Sequence, residues 1–195
     1  MSIQSVLPFE RGTTLCDGYV TPNDTTFMHL EGRVYEVPDT NHGTGSMVQL
    51  RVVKNDSGAA FTATHMRKCV SFSSTTKNDW GCRVDGLAKT DGELCKPIDD
   101  EYYNQNATIP DNDLFYVVES GPVDVLSRTD NLLTAAKQLV SVAGGGGLLD
   151  IASDGHYGVG MATEAPASTA ASTAFCVFVN AGIANVKTGA AGTAQ

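Results

Sequence analysis

Five cysteines and four histidines are the side chains of this 195-residue chain best suited to bind a metal ion or to act as a nucleophile or base. The cysteines are Cys16, Cys69, Cys82, Cys95 and Cys176. A structural zinc site usually begins with two closely spaced ligands, as in a CxxC pair, and no two of these cysteines have that spacing. We therefore predict no metal site and interpret the cysteines as reduced thiols buried in the core.

The histidines are His29, His42, His65 and His156, and they are spread along the chain. A catalytic triad can assemble from residues far apart in sequence, but the chain has neither a GxSxG nucleophile elbow nor an HExxH metal motif. His65 and Cys69 are four residues apart and would share one face of a helix, yet the stretch FTATHMRKCVSFS favours an extended backbone. We predict that the protein is not an enzyme.

Glycine-rich and acidic stretches give no better signature of a cofactor. A phosphate-binding loop continues from its glycines into Lys and Ser or Thr at the start of a helix, whereas the run AGGGG continues into LLD. The stretch GTGS, which begins at Gly43, lacks the third glycine of a dinucleotide fingerprint. The acidic runs 99–101 and 111–113 lack the alternating oxygens and the glycine of a calcium loop. We predict no cofactor and interpret both acidic runs as solvated loops.

Net charge and hydropathy argue against two classes of partner. The chain carries 22 acidic and 13 basic residues, a net charge of −9, and its densest basic group is only Arg67 and Lys68. Proteins that bind nucleic acid place clustered Lys and Arg against the phosphates, so we expect neither nucleic acid nor an anionic membrane as a partner. The longest apolar run, Phe175 to Val179, is far shorter than the ~20 residues of a membrane span. The opening residues lack the pattern of a signal peptide, and we expect a reducing compartment.

Residues 1–12 have the composition of an extended arm. Its apolar side chains are those of Ile3, Val6, Leu7 and Phe9. Pro8 and the pair Arg11–Gly12 interrupt any regular element. A terminal segment of this kind either frays or becomes ordered against a partner. We take the four apolar residues as the candidate partner-binding residues.

Alternating polar and apolar residues predict β-strands in the first half of the chain. In GRVYEVPD and MVQLRVV the side chains alternate between two faces, which is the period of a half-buried strand. After the turn KNDSG, the stretch FTATHMRKCVSFS is again rich in strand-forming residues. We expect these segments to pair as antiparallel hairpins. From residue 73 to 110 the sequence becomes polar, which indicates a long connector with a domain boundary near residue 105.

The second half contains further predicted strands. The segment DNDLFYVVESGPVDVL, residues 111–126, is expected to stop at Gly121–Pro122 and to resume at Val123. Residues 130–142 fit two structures, a short helix or, from residue 138 onwards, an extended segment. Further strands are predicted at 148–151, at a segment ending near Thr163, and over AFCVFVNAGI.

These segments predict a mainly-β protein, an antiparallel β-barrel or sandwich with an extended N-terminal arm and at most one short helix. The 20 glycines indicate many turns between short strands. We divide the chain into an arm (1–12), an N-terminal β-rich lobe with a long polar connector (13–105), a small β-barrel domain (106–183) and a flexible tail (184–195).

Three segments of the second half carry a resemblance to a known family. They are NDLFYVVESGPVDVL with its Gly-Pro-Val strand, TAAKQLVSVAGGGGLLDIA, and GHYGVGMATEAPASTAASTAFCVFVNAGI. This pattern of strands and glycines, over residues 111–183, resembles the small β-barrels of tailed-bacteriophage capsid decoration (cement) proteins. The resemblance implies a structural virion protein, made in the host cytoplasm, that binds the outer surface of the capsid and stabilises contacts between capsomers of the major capsid protein. It also implies self-association, as a homotrimer or a homodimer.

Two other functions stay open at this point. Another β-rich virion component, such as a tail-tube or fibre-associated module, would share the composition of this chain. A carbohydrate-binding β domain is the second alternative, because Trp80, Tyr102 and Tyr103 in the polar connector could form an aromatic platform for a sugar.

Overall fold

The computed structural model describes residues 6–15, 27–72, 81–90, 93–128, 138–141, 144–151, 159–163 and 173–179. These residues form ten β-strands, one short α-helix and two 3-10 turns, and the sheet curls into a half-barrel. The prediction of a mainly-β fold is therefore confirmed. The strands are β1 Val34–Pro38, β2 Met47–Asn55, β3 Cys69–Phe72, β4 Arg83–Leu87, β5 Cys95–Pro97, β6 Leu114–Leu126, β7 Gln138–Ser141, β8 Leu149–Ile151, β9 Gly160–Ala162 and β10 Ala174–Val179. The helix α1 is Glu101–Asn104, and the 3-10 turns are Met28–Leu30 and Ala63–His65.

The strands form a single sheet in the order β5-β3-β4-β2-β6-β10-β9-β7-β8, and β1 pairs with β2. The prediction of antiparallel hairpins in the first half holds for β1 with β2. It is wrong for β2 and the next predicted strand, β3, because β3 pairs instead with β4 and β5. Strand β2 pairs in parallel with β4, Lys54 opposite Arg83 and Asn55 opposite Val84. A parallel pair needs a long crossover connection, and here the chain between β2 and β4 includes β3, so local pattern could not reveal this pairing.

Strand β6 is the centre of the sheet and contradicts the predicted break at Gly121–Pro122. The strand is continuous, but it changes neighbours there: it pairs with β2 up to Ser120 and with β10 from Gly121 onwards. The proline, which cannot donate a hydrogen bond, therefore lies where one ladder ends and the next begins. Gly121 has a φ of +109°, and a Cβ there would lie 2.7 Å from the carbonyl oxygen of Met47, so this position needs glycine.

Two other local predictions need correction. Residues 138–141 form strand β7, so the extended alternative is right for them and the helical one is wrong, while residues 129–137 lie outside the described residues. An extended backbone was also predicted around His65, yet Ala63–His65 is a 3-10 turn. Its imidazole accepts a hydrogen bond from the N–H of Thr62 at 2.9 Å, which closes the turn. The predicted strands at β1, β2, β8 and β10 are confirmed.

One hydrophobic core extends over the described part of the sheet. It includes fully buried side chains of β2, β6 and β10, such as Leu50, Val117 and Val177. Sheet and core thus continue across residue 105, and the division into domains at that residue stays a prediction. The tail 184–195 lies outside the described residues. Among the described helices, none has the length and hydropathy that crossing a membrane requires.

Candidate functional site

A loop from Asp39 to Ser46 connects β1 to β2 and is organised around one buried carboxylate. Asp39 Oδ1 accepts hydrogen bonds from the N–H groups of Asn41 and His42, both at 3.0 Å. Its Oδ2 accepts from the N–H of Thr44 at 3.0 Å and from the Thr44 hydroxyl at 2.7 Å. Burial opposes the negative charge, but these hydrogen bonds outweigh it and hold the pKa of Asp39 well below its usual range. The carboxylate thereby fixes the position of His42.

The imidazole of His42 lies among three carboxylates. Its Nδ1 is 3.1 Å from Asp39 Oδ1, and its Nε2 is 3.0 Å from Asp100 Oδ2 and 3.5 Å from Asp124 Oδ1. The hydrogen bond to Asp100, followed by that to Asp124, raises the pKa of His42 to about 11. Both nitrogens therefore carry a proton at neutral pH. A ring in this state cannot accept a proton as a catalytic base.

Arg11 forms a bidentate ion pair with the fully buried Asp99 and approaches Asp100, which is also a partner of His42. The guanidinium donates from Nε to Asp99 Oδ2 at 3.0 Å and from Nη2 to Asp99 Oδ1 at 2.6 Å, and its Nη2 lies 3.8 Å from Asp100 Oδ1. Burial raises the pKa of Asp99, and the charge of Arg11 acts against this shift. Burial acts likewise on Asp100, but hydrogen bonds from His42 and from the N–H of Asp124 outweigh it and lower the pKa of that carboxyl.

Asp124 and Cys176 complete the arrangement on β6 and β10. They lie opposite each other in the ladder and are half-buried. Asp124 Oδ2 is 3.3 Å from Arg67 Nη2, and the Arg67 guanidinium lies 3.7 Å from the centre of the Tyr103 ring. One donor atom each from His42, Asp124 and Cys176 lies within 4.8 Å of the others. Three donor atoms therefore lie close together: a nitrogen from the β1–β2 loop, an oxygen from β6 and a sulfur from β10.

We name these residues the His42 cluster. It consists of Arg11, Asp39, His42, Arg67, Asp99, Asp100, Asp124 and Cys176. Asp39, His42 and Cys176 follow the order of acid, base and nucleophile in a catalytic triad. In such a triad the base would exchange its Nε2 proton with the thiol. Here His42 Nε2 donates this proton in a hydrogen bond to Asp100 Oδ2 at 3.0 Å. The geometry is therefore suited to holding positive charge and not to transferring a proton.

The interpretation of the acidic runs 99–101 and 111–113 as solvated loops is wrong for Asp99, Asp100 and Asp113, whereas Glu101 and Asp111 are partly exposed. Asp99 and Asp100 are buried in the His42 cluster. Asp113 is also buried, and it accepts a hydrogen bond from the hydroxyl of Thr14 at 2.9 Å. The carboxylates have partners that are distant in sequence, which the local composition could not show.

A second ionic cluster, which we name the Glu119 cluster, consists of Arg51, Lys96 and Glu119. Glu119 lies at a bulge of β6, because Gln49 pairs with Ser120 while the next residue of β2 pairs with Val118. Its carboxylate is 2.8 Å from Arg51 Nε and 3.4 Å from Lys96 Nζ. The ammonium also donates to the carbonyl oxygen of Glu119 at 2.9 Å. The bulge thus places one carboxylate between two cations.

The four predicted partner-binding residues have different positions. Ile3 lies outside the described residues, and Val6 is 87% exposed. Leu7 and Phe9 pack against the core of the protein itself. The Phe9 ring stacks on Tyr116 with a centroid distance of 4.3 Å, and the Tyr116 hydroxyl donates to the carbonyl oxygen of Phe9 at 2.8 Å. Phe9 is therefore part of the anchor of the arm, whereas Val6 presents its side chain to solvent.

The aromatic platform for a sugar is not formed as predicted. Tyr102 is fully buried, and its hydroxyl donates to the carbonyl oxygen of Thr13 at 2.6 Å. Tyr103 is exposed on one side and covered by the Arg67 guanidinium on its ring. Trp80 lies outside the described residues. Tyr102 cannot contribute to a surface, and the carbohydrate alternative loses one of its three residues.

The interpretation of the cysteines as buried thiols is confirmed for two of them. Cys69 and Cys95 are buried, and burial raises the pKa of Cys69. Cys82 and Cys176 are half-buried, and Cys16 lies outside the described residues. Cys176 was not expected to differ from the others, because its position beside Asp124 depends on the pairing of β10 with β6.

Sequence reasoning missed the His42 cluster because its members are spread from Arg11 to Cys176. One local signal was present: Asp39 precedes the glycine-rich stretch TNHGTGS, and Asp often organises such a turn through its own side chain. That signal predicts the loop but not what the loop contacts. Comparisons with protein-family models, with curated proteins and with solved structures found no match.

Proposed function

We propose that this protein is a structural virion component that binds the outer surface of a phage capsid and stabilises contacts between capsomers of the major capsid protein. The observation that carries the proposal is the N-terminal segment. It is held firmly from Phe9 to Leu15, while Val6, three residues before the anchor, is 87% exposed. A terminal segment that is anchored at its base and carries apolar side chains can become ordered against a partner.

The anchor consists of three contacts with two parts of the body, strand β6 and the residues before α1. Tyr116 stacks on Phe9, Asp99 pairs with Arg11, and Leu15 exchanges two backbone hydrogen bonds with Leu114, both at 3.0 Å. Because these contacts already fix the base of the arm, ordering the residues before it on a shell would lose less conformational entropy than ordering a free chain end. The body would then act as a rigid clamp.

The mode of action would be repeated weak adhesion. Each copy would bury a few apolar side chains, each worth on the order of 1.5–3 kcal/mol. Self-association, as a homotrimer or homodimer, would let one unit engage several capsomers at once, so that the effective affinity exceeds that of a single arm. Localisation on the virion and the absence of catalysis are part of the same proposal.

Copy number in purified virions tests the proposal first. A decoration protein should rival the major capsid protein in quantitative mass spectrometry, whereas a tail-tube or fibre component should be scarce. Absence from the particle, or a copy number typical of a tail part, would contradict the proposal.

A binding assay then tests the arm. Replacing Ile3 and Val6 by Ser should weaken co-sedimentation with undecorated shells by roughly tenfold for each of the two apolar side chains. Val34→Ser is the matched control, because it makes the same change at a half-exposed valine on β1. Deleting residues 1–12 would be a poor test, because it also removes Phe9 and Arg11 from the anchor. Full decoration by the double variant would exclude the arm as the binding segment.

A further inference from the structure

Three different metal-ligating atoms meet at one place in the His42 cluster. They are His42 Nε2, an oxygen of Asp124 and the sulfur of Cys176, and all three lie within 4.8 Å of one another. Each comes from a different element: the β1–β2 loop, β6 and β10. Asp124 and Cys176 are directly opposite in the antiparallel ladder, so the sheet itself fixes their separation.

We propose that His42, Asp124 and Cys176 bind one zinc ion. Imidazole and thiolate are ligands that zinc prefers, whereas calcium and magnesium take oxygen ligands. Three protein ligands are a common number for zinc, and water then occupies the fourth position. This inference is independent of the capsid proposal, and it runs against the absence of a metal site expected from the spacing of the cysteines.

The distances between the donor atoms fit this ion. Ligands at 2.0–2.3 Å from a tetrahedral zinc lie about 3.3–3.7 Å from one another. His42 Nε2 and Asp124 Oδ1 are 3.5 Å apart, which is within that range. The sulfur is within 4.8 Å of the other two donor atoms, so bringing it into range needs a movement of up to roughly 1–1.5 Å.

The surroundings of His42 resemble the support of a zinc ligand. In many zinc sites the ligating histidine donates its second N–H to a carboxylate, which fixes the ring and increases its basicity. Asp39 does this here, because its Oδ1 lies 3.1 Å from His42 Nδ1 and the loop N–H groups hold the carboxylate in place. The ring is thus oriented with Nε2 toward both Asp100 and Asp124.

Zinc would replace the proton on His42 Nε2, together with the hydrogen bond that it now makes to Asp100, and would also displace the thiol proton of Cys176. Binding therefore releases protons and should become tighter as pH rises.

The Asp100 carboxylate would not be left alone, because Oδ2 also accepts from the N–H of Asp124 at 3.2 Å and Oδ1 from Asn41 Nδ2 at 3.3 Å. Arg11 lies close by, at 3.8 Å. The bound ion would connect the loop after β1 with β6 and β10 and would stabilise the folded state.

Metal titration tests the proposal directly. Reduced protein, freed of metal with a chelator and desalted, should compete with a chromophoric chelator for one zinc ion per chain. Cobalt, which takes similar ligands, should give a thiolate-to-cobalt charge-transfer band in the near ultraviolet. At zinc concentrations of 100 times Kd, the Tm should rise by roughly 5–10 °C.

Variants identify the ligands. Cys176→Ser should lose the charge-transfer band and the Tm shift, whereas Cys82→Ser, at another half-buried cysteine outside the cluster, should keep both. Asp39→Asn should keep the band and lower zinc affinity roughly 10–100-fold, as expected for a residue that orients a ligand. Far-ultraviolet circular dichroism of each metal-free variant verifies folding, and Asp124→Asn replaces Cys176→Ser if the latter does not fold.

Two results would overturn the proposal. One is a wild-type protein that takes up neither zinc nor cobalt in competition with the chelator. The other is a Cys176→Ser protein with the zinc affinity and the cobalt spectrum of the wild type, which would place the ion elsewhere.

Discussion

The His42 cluster has more negative than positive groups, and the Glu119 cluster has more positive than negative groups. In the first, four carboxylates face three cations, those of Arg11, His42 and Arg67. In the second, the single carboxylate of Glu119 faces two cations. The excess of negative charge, together with the sulfur of Cys176, makes the first cluster a place where a further cation can bind. The second cluster has no such capacity.

The clusters also differ in what they connect. The Glu119 cluster joins β2, β5 and β6, which are parts of the sheet. The His42 cluster joins the N-terminal segment, the β1–β2 loop and the residues before α1 to the sheet. Buried ion pairs contribute little when intact but leave an unpaired charge when one partner is removed. The two clusters can therefore be told apart by removing one charge from each.

The largest effect is expected from Arg11→Met. The change leaves Asp99, which is fully buried, without its guanidinium partner, and it should lower the free energy of unfolding by about 3–5 kcal/mol. Urea unfolding followed by circular dichroism measures this. The double variant Arg11→Met/Asp99→Asn removes both charges and should recover part of the loss. A single variant within 1 kcal/mol of the wild type would show that the pair does not hold the N-terminal segment.

The contrast between local and distant contacts also explains how much the sequence could predict. Strands β1 and β2 follow from alternation within a few residues, and β8 and β10 follow from short segments that adjoin turns rich in glycine or small residues. The continuity of β6 through Gly121–Pro122 does not, because it depends on β2 and β10 meeting the same strand at that point. Burial of Asp99 depends on Arg11, which is 88 positions away. Properties set by neighbours in sequence were predictable, and those set by neighbours in space were not.

A smaller effect is expected from Glu119→Gln. It removes the carboxylate that Arg51 and Lys96 both contact, but Lys96 keeps its hydrogen bond to the carbonyl oxygen of residue 119. The free energy of unfolding should fall by about 1.5–3 kcal/mol, the range of hydrogen bonds to charged groups. Urea unfolding measures the loss, and Glu10→Gln, at an exposed glutamate of the N-terminal segment, is the control. A loss larger than that of Arg11→Met would reverse the ranking of the two clusters.

The smallest effect on stability is expected from a rise in pH. It depends on two tyrosines near Arg11 and Asp99, Tyr102 and Tyr116, and therefore on the surroundings of the His42 cluster and not on the Glu119 cluster. Burial raises the pKa of Tyr102 and of Tyr116, and the charge of Asp99 acts in the same direction on both. A tyrosine whose pKa is higher in the folded than in the unfolded protein contributes its full stabilisation below the pKa of the unfolded state, about 10. This stabilisation is lost as the pH rises toward and through the pKa of the folded state. Between pH 10 and 11 each tyrosine should therefore reduce the free energy of unfolding by up to about 1.4 kcal/mol per pH unit.

Urea unfolding at several alkaline pH values measures this slope. Tyr102→Phe should reduce this slope by the contribution of one tyrosine, and Tyr102→Phe/Tyr116→Phe should reduce it by the contribution of two. Glu119→Gln should leave the slope as in the wild type. The reason is that the two hydroxyls hold Phe9 and Thr13 of the N-terminal segment, so that their ionisation acts on the anchor. Equal slopes for the wild type and both tyrosine variants would mean that these hydroxyls reach solvent before the protein unfolds, and that the anchor of the arm opens locally.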